Sequence, residues 1–193
     1  ALPRVLAGGG LREVHSEIDE LIALVARAAR PADARVLLAG IAPTLRHRDV
    51  SREMMTPDAR YRELDAALRE LRRGPFHVFL RGIDELEIES DSVMLEACNT
   101  SFQVHLQVDA DEFTPMYNAA QWITAALVGV AANAPCLFGK RLWHETRIGL
   151  FEQSVDDRLA RDRTIARRGR VSFGEDWLRG PVTDLFRDDI MRI

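Results

Sequence analysis

From Leu11 to Arg30 apolar side chains recur at helical spacing: Leu11, Val14, Ile18, Leu21, Ile22 and Val25 form one stripe, and Arg12, Glu13, Glu17 and Glu20 fall outside it. The spacing predicts an amphipathic helix ended by Pro31. The apolar run Arg35 to Gly40 predicts a short strand. Ile41 to Pro57 has no period and carries Arg46, His47 and Arg48. It reads as a long connection, either a mobile flap or phosphate-binding loop or simply a solvated one. Thr56 as N-cap and Pro57 at the first helical position predict a helix on Tyr61, Leu64, Leu68 and Leu71, closed at Gly74-Pro75.

The period then shortens to two. His77–Arg81 and Glu85–Glu89 predict a hairpin turning at Gly82-Ile83-Asp84. Its second strand puts Glu85, Glu87 and Glu89 on one face, where they repel one another unless water or a cation intervenes. That row is either a charged edge strand or a source of magnesium ligands. From Ser101 to Val108 the alternation is cleaner: Phe102, Val104, Leu106 and Val108 oppose Ser101, Gln103, His105 and Gln107. A row of neutral hydrogen-bonding groups around an imidazole suits a ligand or a metal-bound phosphate; it is also what an incidentally polar outer face would look like. Glu112 to Asn133 predicts a long helix, apolar nearly all round and so buried against a sheet, with Asn133 capping its end. Thr146 to Gln153 reads as extended or irregular, Val155 to Arg168 as a basic loop that orders with ligand, and the stretch from Val182 as a last helix. Trp122, Trp143 and Trp177 are expected in the core. The element order predicts an α+β fold, an antiparallel sheet with helices packed on one face.

With 193 residues and 47% hydrophobic content, the chain has enough material for one domain with a full core. A net charge of −4, and no aromatics interleaved with the basic stretch Arg158 to Arg170, argue against a nucleic-acid partner. No apolar run approaches the roughly 20 residues that span a bilayer. Cys98 and Cys136 lack metal-ligand spacing and neighbouring bases, which suits a reducing cytoplasm and argues against cysteine nucleophile chemistry.

Between Met94 and Arg158, Thr100-Ser-Phe-Gln-Val-His-Leu-Gln107, Ala132-Asn-Ala-Pro-Cys-Leu-Phe-Gly139 and Glu145-Thr-Arg-Ile-Gly-Leu-Phe151 follow one another in an order that resembles the glutamate–cysteine ligases, carboxylate–amine ligases with a glutamine-synthetase-like fold. Upstream, Gly40-Ile-Ala-Pro43 and Arg60-Tyr61 are similar to segments of the same enzymes. Ala134 stands where the family has Ser, Gly149 to Phe151 depart from its wording, and its strand of paired metal-binding Glu residues has no counterpart before Leu11. The chain therefore reads as a single ligase-like domain over residues 1–193, incomplete at both ends.

The resemblance implies ATP and magnesium as cofactors, and an amino-acid carboxylate and an amine as substrates. It leaves a homo-oligomer open. It implies that a glutamate-type carboxylate is activated as an acyl phosphate, with cations steadying the transferred charge. Arg147 is then the catalytic candidate, clamping a carboxylate or phosphate with its planar fork, or else forming an ion pair with Glu145 or Glu152. Its replacement by Ala is expected to cost turnover and leave folding intact. Gln103, His105 and Gln107 are the candidate nucleotide contacts, and His105, Glu87 and Glu89 the candidate magnesium ligands, with Glu96 a weaker one. The alternative is a non-catalytic ligand-sensing or assembly module on the same fold.

Overall fold

A computed structural model describes residues 9–72, 74–156, 158, 169, 171–174 and 176–190. Helices and small antiparallel hairpins make it an α+β chain, as the pattern predicts. It divides into two compact units, Ala1–Leu38 and Ala39–Ile193.

In the first unit the predicted amphipathic helix is α1, Gly10–Ala29. Pro31 stops it by forcing a 3₁₀ turn over Arg30–Ala32, and the Asp33 N–H closes that turn on the Arg30 carbonyl. Leu11, Leu21, Leu24 and Val25 are all more than half exposed. The stripe is real, but the unit supplies it no cover. The strand expected over Arg35 to Gly40 does not form: Val36, Leu37 and Leu38 are exposed and have no backbone ladder partner among the described residues. A run of β-favouring residues becomes a strand only when a second chain segment takes its N–H and C=O groups.

The second unit is built on the hairpin of β1 (Phe76–Arg81) and β2 (Glu85–Ser90), antiparallel with Phe76 opposite Ser90 and Arg81 opposite Glu85. The period of two sends Phe76, Val78 and Leu80 of β1 and Leu86 of β2 inward. Val78, Leu80 and Leu86 meet Ile41, Leu95, Leu137, Leu142 and Leu150 in the main core. A helix α2, Ala59–Arg72, lies beside a second cluster of Leu68, Phe76 and Val93. Its cap is Asp58, whose carboxylate accepts the Arg60 N–H, so α2 starts two residues later than Thr56-Pro57 suggests. Buried Asp65 on α2 accepts from Arg52 and from the Val93 N–H, and Arg52 also reaches Asp91. The aperiodic connection from Ile41 is thus pinned at its middle by one arginine.

Gly82 lets the β1–β2 turn press on a second hairpin, β3 (Cys136–Leu137) and β4 (Lys140–Arg141). A Cβ at Gly82 would come within 2.6 Å of the Leu142 Cα. Asp84 fastens the contact, exchanging hydrogen bonds with the Arg141 backbone. The accepted Arg141 N–H, helped by the nearby charge of Arg141, holds the Asp84 carboxyl below its ordinary range. Phe138 and Gly139, both at positive φ, turn β3 into β4 as a two-residue loop of the primed kind.

Thr146–Ser154 is a helix, α4, where Thr146 to Gln153 was expected to be extended or irregular. Its buried row is Thr146, Leu150 and Ser154, a correct i, i+4, i+8 stripe in which two of three members are hydroxyls. Counting apolar residues cannot see such a stripe. Gly149 brings α4 against Leu80, and the Gln153 amide pairs with both the N–H and the C=O of Phe79, completing the free edge of β1.

The long helix α3, Phe113–Ala131, forms as expected but is not buried. Trp122 is 76% exposed, and Ile123, Leu127 and Val130 are exposed too. Thr114, Asn118 and Gln121 instead hydrogen-bond the backbone of Gly180, Leu178 and Phe173, before α5, Thr183–Ile190. Trp143 and Trp177 are likewise exposed rather than in the core. Asn133 does not cap α3 in a left-handed turn: the helix ends at Ala132 in extended backbone, and the Asn133 carbonyl accepts from Gly40. The loop expected from Val155 to Arg168 lies mostly outside the described residues.

Two glycine changes separate the roles of space and backbone freedom. Gly82→Ala is expected to lower unfolding free energy by about 1–3 kcal/mol, the range for overpacking. Gly129→Ala, inside α3 with nothing near its Cβ, should raise it by about 0.5–1 kcal/mol. Urea unfolding of both variants checks this, and equal effects would contradict the Gly82 contact.

Candidate functional site

Four segments converge beside the main core. Gly40 donates its N–H to the Asn133 carbonyl at 3.2 Å, and its own carbonyl accepts from Thr100 at 2.8 Å. Ala134, fully buried, donates to His144 and accepts from Thr146, so residues 133–134 run as a single bridge beside 144–146. That bridge sets Glu145 at the mouth of α4 and Arg147 in its first turn. The Arg147 side chain is 22% exposed and that of Glu145 7%.

The pair is bidentate. Nε and Nη2 of Arg147 donate to Oε1 and Oε2 of Glu145 at 2.5 and 2.8 Å, and Nη1 donates to the Thr100 carbonyl at 2.5 Å. The guanidinium lies across Gly40, where a Cβ would come within 2.5 Å of Nε. Accepting carboxylate oxygens raise the Arg147 pKa further, against a smaller opposing effect of burial. Every nitrogen of the guanidinium is thus engaged inside the protein. Arg147 makes the ion pair with Glu145 that the sequence allowed.

Next to this pair opens a cleft of about 680 Å³, within the usual range for small-molecule sites. α3 contributes Leu127 and Val128, α4 contributes Ile148 and Phe151, and Phe173 closes the far wall. Asn99 borders it. Both polar atoms of that amide, Nδ2 and Oδ1, are shut off from water with no hydrogen-bond partner among the described residues. Leaving such groups unmet costs about 1–3 kcal/mol each. Asn99 ends a 3₁₀ turn, Val93–Cys98, whose buried Val93, Leu95 and Cys98 anchor it.

The other expected site residues lie elsewhere. Ser101 to Val108 forms no strand, and Gln103, His105 and Gln107 are exposed, as are Phe102, Val104 and Leu106. The two rows that the alternation predicts are not distinguished by burial, and a partner for the backbone is missing among the described residues. Glu87 and Glu89 are exposed on β2, with Glu87 taking the His77 imidazole at 2.9 Å. Among the described residues no three of His, Cys, Asp and Glu come together. The magnesium set His105, Glu87 and Glu89 is therefore not assembled, and no chemical step is derived through the ion. Glu96 is half-buried near Cys98: desolvation raises its pKa, and burial reinforced by the Glu96 charge pushes the Cys98 thiol up to about 11. That thiol is inert at neutral pH.

The chain matches the sequence profile of Glutamate-cysteine ligase family 2 (GCS2) over residues 6–171, and it belongs to that family. Comparisons with curated proteins and with solved structures give no match. No described helix is long and apolar enough to cross a membrane.

Two measurements follow. Arg147→Ala strands a nearly buried carboxylate and should cost about 3 kcal/mol of stability, the lower end for a broken buried pair; an unchanged urea midpoint would contradict the pairing. Glu96, raised when folded, favours the protonated state, so its contribution is most favourable below its ordinary pKa and is lost as pH rises through the raised one. Glu96→Gln should accordingly stabilise the protein at pH 7, with the gain vanishing below about pH 4. A gain that persists at low pH would contradict desolvation as its cause.

Proposed function

We propose that this chain carries an ATP-dependent carboxylate–amine ligase activity of the glutamate–cysteine ligase kind, acting on amino acids in the cytoplasm. The observation that carries the reading is membership of the family over residues 6–171. A cleft of about 680 Å³, of small-molecule size and bordered by the Glu145–Arg147 pair, supports it.

In this reading a glutamate-type carboxylate oxygen attacks the γ-phosphorus of ATP and ADP leaves. An amine nitrogen then attacks the acyl carbon, inorganic phosphate departs, and the nitrogen loses a proton. Ligases of this kind generally use magnesium, which would neutralise phosphate oxygens. Arg147 acts in this scheme by positioning: it holds Thr100 and Glu145 against Gly40 and so fixes the edge of the cleft. Gln103, His105 and Gln107 offer a neutral polar row for nucleotide contact once Ser101 to Val108 has a strand partner. The second reading, a ligand-sensing or assembly module, is favoured by the absence of a magnesium set among the described residues.

The test is phosphate release by the purified chain with magnesium, ATP, glutamate and cysteine, with hydroxylamine added to trap an acyl phosphate as hydroxamate. Glutamate-dependent ADP formation and a hydroxamate are expected. Nucleotide binding with no ADP formation across a panel of amino acids would favour the sensor instead.

A further inference from the structure

We propose that the amine this ligase joins is hydrophobic and carries no carboxylate: an alkyl or arylalkyl amine, its body in the cleft and its ammonium beside Glu152. This names the acceptor within the ligase reading above and rests on it. The walls of the cleft are Leu127 and Val128 of α3, Ile148 and Phe151 of α4, and Phe173. α3 brings no charged residue at all from Phe113 to Ala131. Such walls favour hydrocarbon in proportion to the apolar surface a ligand removes from water. A volume of about 680 Å³ has room for an aromatic ring and its chain.

Charge then selects the head group. Among the described lining residues the ionisable side chains are Glu145, Arg147 and Glu152. The first two neutralise each other as a bidentate pair, and the third nitrogen of Arg147 is spent on the Thr100 carbonyl. Glu152 lies exposed on α4 with no ion pair or hydrogen bond to any described residue. The other polar side chains on the lining are neutral. The cleft thus presents one uncompensated charge, and it is negative. An amino acid such as cysteine would bring its α-carboxylate to a wall with no open cation and one anion. An amine without a carboxylate brings only the complementary charge, on a body that suits the walls. The bound ammonium sheds one proton to water before its lone pair attacks the acyl carbon. Inorganic phosphate then departs, and a second proton leaves the nitrogen as the amide forms.

The experiment is calorimetric titration of the full chain with phenethylamine, phenylalanine and phenethyl alcohol, which share a ring and differ in charge. ADP formation is followed alongside, with magnesium, ATP and glutamate and either phenethylamine or cysteine as acceptor. Phenethylamine should bind about tenfold or more tightly than phenylalanine, whose carboxylate would sit unpaired against an anion, and should support faster ADP formation than cysteine. Glu152→Gln should weaken phenethylamine about two- to fivefold, the worth of an exposed ion pair. The same variant should bind phenethyl alcohol as the wild type does, which also reports an intact cleft. Phenylalanine binding as tightly as phenethylamine, or a Glu152→Gln variant that keeps the wild-type preference, would overturn the inference. Cysteine-dependent ADP formation alongside either result would leave the ligase standing. Phenethylamine that binds as described while no amine elicits ADP formation would overturn the ligase reading and the acceptor role together.

Discussion

The bidentate pair of Glu145 and Arg147 is the interaction on which the site depends. Each partner alone would be costly: a carboxylate almost out of reach of water, and a guanidinium pressed across a glycine. Together they join the first turn of α4 to the 133–134 bridge, and through the Thr100 carbonyl they hold the strip that carries Asn99. Gly40 is the hinge of the arrangement for a steric reason. It is the one residue type that leaves room for the arginine while its N–H and C=O serve Asn133 and Thr100. The cleft's edge is thus set by backbone hydrogen bonds and one ion pair, and its walls by α3, α4 and Phe173.

Packing around the site follows the same economy of small residues and borrowed hydrogen bonds. Gly82 and Gly149 bring the β3–β4 hairpin and α4 onto β1, and the Gln153 amide stands in for a third strand by bonding both backbone groups of Phe79. Where no such stand-in exists, regular structure stops. Val36 to Leu38 and Ser101 to Val108 have the composition of strands and remain unpaired among the described residues, because a strand is a relation between two segments and not a property of one. The apolar stripe of α1 and the exposed Trp122 and Val130 on α3 show the same thing for helices.

This explains which parts were legible in the sequence. The β1–β2 hairpin, α1, α2, α3 and α5 could be read from period and punctuation, and the family from the order of three short motifs. Burial could not be read that way. α3 is apolar all round and yet exposed, and α4 was missed because hydroxyls occupy two of its three buried positions. At the site, Arg147 was visible through its motif, but its engagement with Glu145, Thr100 and Gly40 depends on segments far apart in the chain. Asn99 carried only a weak signal, an amide between the buried Cys98 and the polar row. Its two amide atoms lie buried with no hydrogen-bond partner among the described residues, which only three dimensions reveal.

The central claim is that Glu145 and Arg147 act as one unit, and a double-mutant cycle tests it most directly. Unfolding free energies are measured for the wild type, Glu145→Gln, Arg147→Met and the double variant. A coupling of about 1.5–3 kcal/mol between the two positions is the predicted result, because each single change strands its partner. Additive effects, with coupling below about 0.5 kcal/mol, would contradict the account and leave the edge of the cleft to be explained by the backbone alone.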